Sequence, residues 1–172
     1  MFETPKQIDD LQAAFAGERL FIRVIGRGSF KVAAPMKQFI GEVCETQAVR
    51  LVIVDLAECI GMDSTFMGVL AGLSRRLKKD GQALELINLS EKNTNLLSTL
   101  GVDQVLTLYK DSHGHDIPEP QADSLPTDQA TKKDMAETAL KAHQNLVEIS
   151  EDNQPRFKRV IELLKEDVDR LN

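Results

Sequence analysis

The sequence predicts an α/β sandwich, a mainly parallel sheet with covering helices, followed by a C-terminal helical hairpin. Three observations carry this expectation. From residue 19 to residue 109, strand-like and helix-like segments alternate through short connections, the pattern of a parallel sheet built by crossovers. Residues 50–56, RLVIVDL, are apolar nearly throughout, as in a strand covered on both faces. At residue 111 the composition turns polar, with Pro118, Pro120 and Pro126, and two strongly amphipathic segments then close the chain. The predicted organisation is an α/β domain over 1–111, a polar Pro-containing linker over 112–130 and a helical hairpin over 131–172.

Each element has its own signal. Residues 5–16 carry Ile8, Leu11 and Phe15 at near-helical spacing before Gly17, which predicts a short N-terminal helix. RLFIRVI at 19–25 is a strand by its β-branched and aromatic content, and Gly26, Arg27, Gly28 and Ser29 read as a turn. A helix over 35–46 begins with Pro35, suited to a first turn, and turns Met36, Phe39, Ile40 and Val43 inward. After the central strand comes a loop, then a helix over 64–79 closed by Gly81. Its last turn carries Arg75, Arg76, Lys78 and Lys79, a solvated cluster that suits the negative end of the helix dipole. A strand over 83–88, a helix over 91–100 and a short strand over 105–109 complete the domain.

The densest signal is LVIVDLAECIGMDSTFMGVLAGL at 51–73. It delivers Asp63-Ser64-Thr65 to the front of a helix. Such residues cap orphan N–H groups, and a phosphate added there meets free N–H donors and the positive end of the dipole. The run V-D-L, an apolar-rich loop and then M-D-S-T-x-x-G-V-L resembles the signature of STAS domains, which include the bacterial anti-sigma factor antagonists. Asp63, Ser64, Gly68 and Leu70 match that pattern, Thr65 replaces a second Ser, and Phe66 stands where the family usually has Gly.

The resemblance covers about residues 18–111 and implies a regulatory binding protein. Ser64 becomes the phosphoacceptor, with Asp55, Asp63, Thr65 and Gly68 supporting the switch loop. Gly26, Arg27, Gly28, Ser29 and Phe66 become partner-facing. The implied partners are an anti-sigma factor with a serine-kinase fold and a phosphatase. From the residues alone, Ser64 reads first as an uncharged helix cap, Asp63 as a cap of the same helix, and Asp55 as an organiser of the loop through backbone N–H bonds.

Composition excludes other classes. The 172 residues are 42% hydrophobic, enough for a core, with no Trp and one Tyr. The formal charge is −6 and the sequence pI about 5.1, which argues against nucleic acid, bound mainly through Lys and Arg on phosphates. No apolar run approaches the roughly 20 residues needed to span a bilayer. The start, MFETPKQIDDLQ, lacks the basic-then-apolar order of a secretory signal, so a cytoplasmic protein is expected.

No enzyme, cofactor or metal is expected either. Cys44 and Cys59 read as small buried hydrophobes. His113 and His115 form an H-G-H without a third ligand. GMDSTFMG lacks the Gly-x-Ser-x-Gly spacing of a nucleophile elbow, and no His stands in an evident position to act as base.

The tail poses its own question. Met135, Ala139, Ala142, Leu146 and Ile149 form one stripe; Phe157, Val160, Ile161, Leu164, Val168 and Leu171 form another. These stripes demand cover. The hairpin folds back on the α/β domain, or it pairs between chains and makes a homo-oligomer; a membrane-surface helix is the third and weakest reading, because the polar face is mixed in charge. The second possibility supports an alternative function, a scaffold component without a phospho-switch.

Overall fold

The computed structural model describes residues 8–119, 125–127 and 129–172. Its sheet runs β1 (Asp10–Ala16), β2 (Arg19–Gly28), β3 (Leu51–Asp55), β5 (Ala83–Ile87), β6 (Thr107–Leu108), with β4 (Cys59–Met62) paired to the end of β2. β1 and β2 are antiparallel; the other pairs are parallel. The helices are α1 (Phe30–Thr46), α2 (Ser64–Lys79), α3 (Glu91–Thr99), α4 (Lys132–Ile149) and α5 (Asn153–Leu171).

The predicted α/β sandwich, mainly parallel sheet and C-terminal helices are all present, with four corrections. The first is β1, expected as a helix. It forms a hairpin with β2 through Gly17, whose φ of +62° suits glycine. Leu11 and Ala13 face the helix-covered core, and Ala14 and Ala16 face the opposite side. Apolar residues on both faces of a strand imitate helical spacing, which is why the sequence misleads here.

The second correction concerns Gly26, Arg27 and Gly28. They continue β2 rather than form a turn, because the sheet forks: β2 pairs β3 up to Arg23 and β4 from Gly26, with a register shift between Gly26 and Arg27. β4 itself was expected as loop. Gly26 has φ +79°, and a Cβ there would stand 2.7 Å from the Asp9 carboxylate. The third is α1, which opens at Phe30, capped by Ser29, so Pro35 lies inside it.

The fourth correction is the linker. Part of it covers the sheet face opposite the helices. Ala14, Phe21, Ile53 and Ile87 form a small cluster there, against which Tyr109 and Ile117 pack. His115 meets Glu85 Oε2 through Nε2 at 2.9 Å, with Arg19 at Nδ1 and the Phe21 ring edge-on. His113 stacks on Tyr109. An apolar sheet face needs cover, and this segment supplies it. Leu125 also joins the structure, its N–H donating to Leu11 O at 2.8 Å while its side chain packs on the main core.

The hairpin folds back within the chain. α4 lies along α2, and α5 lies on α4. A capping box starts α4: Thr131 Oγ1 accepts from Asp134 N–H and Asp134 Oδ2 accepts from Thr131 N–H. Buried Asn153 pins the α4–α5 turn to the end of α3, donating to Leu100 O at 2.9 Å and Leu146 O at 2.8 Å. Ala142, Leu146 and Phe157 belong to the main core. The expected oligomerisation stripe is therefore partly consumed inside the chain. Phe157 is buried, Ile161 packs on the core, and Leu164 and Val168 are half-buried, whereas Val160 and Leu171 are exposed.

Candidate functional site

Asp63, Ser64 and Thr65 sit where β4 runs into α2. Asp63 is the N-cap, as its short acceptor side chain favours. Its Oδ1 accepts from Phe66 N–H at 2.9 Å and its Oδ2 from Phe30 N–H at 2.7 Å. One carboxylate thus holds the first turns of α1 and α2 together. Thr65 and Gly68 are buried along α2.

Ser64 is half-buried, and its Oγ lies 2.9 Å from His143 Nε2 on α4. His143 Nδ1 lies 2.7 Å from Ala139 O. A carbonyl can only accept, so the hydrogen-bond network assigns the proton to Nδ1. Nε2 then accepts from the Ser64 hydroxyl. Burial pushes the His143 pKa below 6.5, against the opposing pull of the Ala139 bond and the Asp63 charge. The Phe157 ring stands edge-on at 5.0 Å from the imidazole. The pair has the donor–acceptor order of a nucleophile and its base, but a backbone carbonyl occupies the orienting position, and α4 itself covers the hydroxyl. The arrangement works as a latch between two helices.

Two glycines make that latch possible. A Cβ on Gly68 would overlap the backbone of Ala142, and one on Gly72 would overlap the Asn145 amide. Glycine permits such close backbone approach. Asn145 Nδ2 donates to Gly68 O at 3.3 Å, and Arg75 pairs with Glu148 at 3.0 Å further along the two helices. His143, Ala142 and Asn145 are the residues that sequence reasoning missed. The available signal was Gly68 and Gly72, one helical turn apart on one face of α2 and matched by small residues on the tail.

The other predicted site residues divide. Asp55 is buried at the end of β3, where Oδ1 accepts from Ala57 N–H and Asn88 Nδ2, both at 3.0 Å, and Oδ2 lies 3.7 Å from Arg23 Nε. These contacts organise the loop. Gly26, Gly28 and Ser29 are buried, and Arg27 is exposed, with its N–H donating to Asp9 Oδ1. Phe66 is a correction: it is fully buried, and its ring stands against Gly28, where a Cβ would fall 2.8 Å away. The ring fills the core beneath the loop and offers no surface to a partner. Phe30 and Ile60 are exposed instead.

Cys44 and Cys59 are free, and burial raises both thiols above their ordinary pKa. Among the described residues, no group of three or more His, Cys, Asp or Glu side chains could hold a metal, and no helix is long and apolar enough to cross a membrane.

Comparison with known proteins agrees with this architecture. Among curated proteins there is no significant match. The chain resembles the unphosphorylated form of the anti-sigma factor antagonist SpoIIAA of Bacillus, with a TM-score of 0.52 at 20% identity over 57% of this chain and 86% of that one. A protein of Thermotoga maritima proposed as an anti-sigma factor antagonist gives 0.53 at 14% identity, over 60% and 88%. A sulfate transporter family protein from Wolinella succinogenes gives 0.51 at 18%, over 58% and 83%. At these identities the structural likeness speaks for the fold. The STAS domain family itself matches residues 10–115, more than half of the sequence, and the chain belongs to the STAS domain family.

Proposed function

We propose that the protein is a regulatory binding protein switched by phosphorylation of Ser64, similar to an anti-sigma factor antagonist, and that the α4–α5 hairpin is a cover over its switch helix. The observation that carries this reading is the Ser64–His143 hydrogen bond at the first turn of α2. A phosphoryl group on Ser64 would need the space the imidazole now fills. It would also bring about −1.5 to −2 charges beside the Asp63 carboxylate and into a seam where burial disfavours the charged form of His143. Phosphorylation and docking of α4 therefore exclude one another.

The partner in this reading is an anti-sigma factor with a serine-kinase fold, with a phosphatase to reverse the modification and the cytoplasm as the setting. The chain itself carries out no chemistry. The full-length protein, incubated with such a kinase and ATP, is expected to gain one phosphate by intact mass, and Ser64→Ala none. Ser64→Asp should weaken kinase binding at least about tenfold, or roughly 1.4 kcal/mol. Absence of phosphate, with equal affinities for wild type, Ser64→Ala and Ser64→Asp, contradicts the reading.

The scaffold alternative is favoured by one feature, the exposed Val160, Leu163 and Leu171 on α5. Light scattering over a range of concentrations tests it: a dimer or larger assembly, dissociated by Val160→Asp with Leu163→Asp, supports oligomerisation through this face. A monomer throughout contradicts it.

A further inference from the structure

Where α1, α2 and α4 meet, the structure holds a cavity of about 270 Å³. Its walls include Lys37 from α1, Arg76 from α2 and Lys141 from α4, with Val69 and Leu73 forming an apolar floor and Thr138 beside them. Three cations and no acid line it. Arg76 is paired outward with Glu45. Among the described residues, neither Lys37 nor Lys141 has an ion pair within 4.0 Å. Outside the cavity the same Lys37, Arg76 and exposed Lys141 also line a wider groove with Glu42, Glu45, Asp134 and Glu137, of which Glu137 is near enough to act on Lys37. The Lys37 ammonium is held below its ordinary pKa by burial first, then by the charges of Lys141 and Arg76.

A cluster of like charges around a concave apolar surface is electrostatically unfavourable by itself. The carboxylates stand only on its outer side, so the cavity itself suits a ligand that brings a negative charge and an apolar body. We infer that this cavity binds a small amphipathic anion, a carboxylate or phosphate head on a short apolar body, with the head between Lys37 and Lys141 and the body on Val69 and Leu73. At about 270 Å³ the cavity is smaller than most drug-sized sites, so the body is short.

All three helices contribute walls, so the ligand joins the hairpin to the α/β domain. Ligand bound only to the docked form stabilises that form by mass action. It would thus hold α4 over Ser64. The site stands without the phosphorylation reading; its regulatory consequence rests on that reading.

Hexanoate is the probe, titrated into the full chain by calorimetry and thermal unfolding. Saturable binding at or below about 10 mM with a raised Tm is expected. Hexanol and hexylammonium should each bind at least about tenfold more weakly, or roughly 1.4 kcal/mol, the first lacking charge and the second carrying the wrong sign. Lys37→Gln and Lys141→Gln should each weaken hexanoate by at least about the same factor while leaving the circular dichroism spectrum unchanged. Ser64→Ala should bind hexanoate like wild type, so failure of this site and failure of the Ser64 reading are separable. Hydrogen exchange across 132–149 should slow when hexanoate binds. No saturable binding, affinity indifferent to both lysine substitutions, equal binding of hexylammonium, or inorganic phosphate binding as tightly as hexanoate each overturns the proposal.

Discussion

The two sides of α2 are buried by different chemistry. The inner side presents Phe66, Leu70, Leu73 and Leu77, all in the apolar core. The outer side presents Ser64, Gly68, Gly72 and Arg75, and meets His143, Ala142, Asn145 and Glu148. Apolar burial stabilises in proportion to the area removed from water. Polar contacts exchanged with water contribute little net, yet cost heavily when one partner changes. The inner side is thus suited to permanence. The outer side is suited to release when one of its polar partners is altered.

The largest expected effect lies on the inner side. Phe66→Ala should cost about 3–5 kcal/mol, read as a fall in the midpoint of cooperative denaturant unfolding for the whole protein. A small, non-cooperative loss would show that the ring does not anchor the core.

On the outer side, Gly68→Val should cost about 1–3 kcal/mol through overpacking and should spare the sheet. Hydrogen exchange is expected to lose protection across 132–149 and keep it in 51–55 and 83–87. Under the proposed switch, the same variant should be phosphorylated at Ser64 faster than wild type, because α4 no longer covers the hydroxyl. Uniform loss of protection would erase the distinction between the two sides.

A smaller effect follows from His143. Its pKa is lower in the folded protein than the ordinary value of 6.5, so the unfolded or undocked chain binds the proton more readily. Its contribution to docking is fully present above about pH 6.5 and declines as pH falls from there toward the folded value. Protection of α4 should weaken between neutral and mildly acidic pH, and His143→Gln should flatten that dependence. The smallest effect belongs to Arg75→Ala. It breaks an exposed pair with Glu148 and should change unfolding stability by no more than about 1 kcal/mol; a larger loss would show that this ion pair anchors the docked helix.

The inner side of α2 was legible in part, at Leu70 and Leu77, because its signals are local. The apolar run at 51–56, the Asp63-Ser64-Thr65 start and the 3.6-residue spacing of α2 lie within one stretch of chain. The outer side was not, because Ser64 and His143 are 79 residues apart, and periodicity says only that a stripe needs cover, not what covers it. Phe66 illustrates the same limit. Its place in the motif suggested a surface ring, while its burial depends on Gly28 from another strand leaving room for it. β1 escaped for a different reason, since a strand with both faces buried has no simple alternation.

On the proposed switch, a phosphate on Ser64 and a docked α4 exclude one another. Hydrogen exchange of residues 132–149 in the Ser64-phosphorylated protein, set against the unmodified protein at the same pH and salt, tests it most directly. Phosphorylation is expected to remove protection from α4 while the strands of the sheet keep theirs. Protection of α4 that is unchanged in the stoichiometrically phosphorylated protein would contradict it.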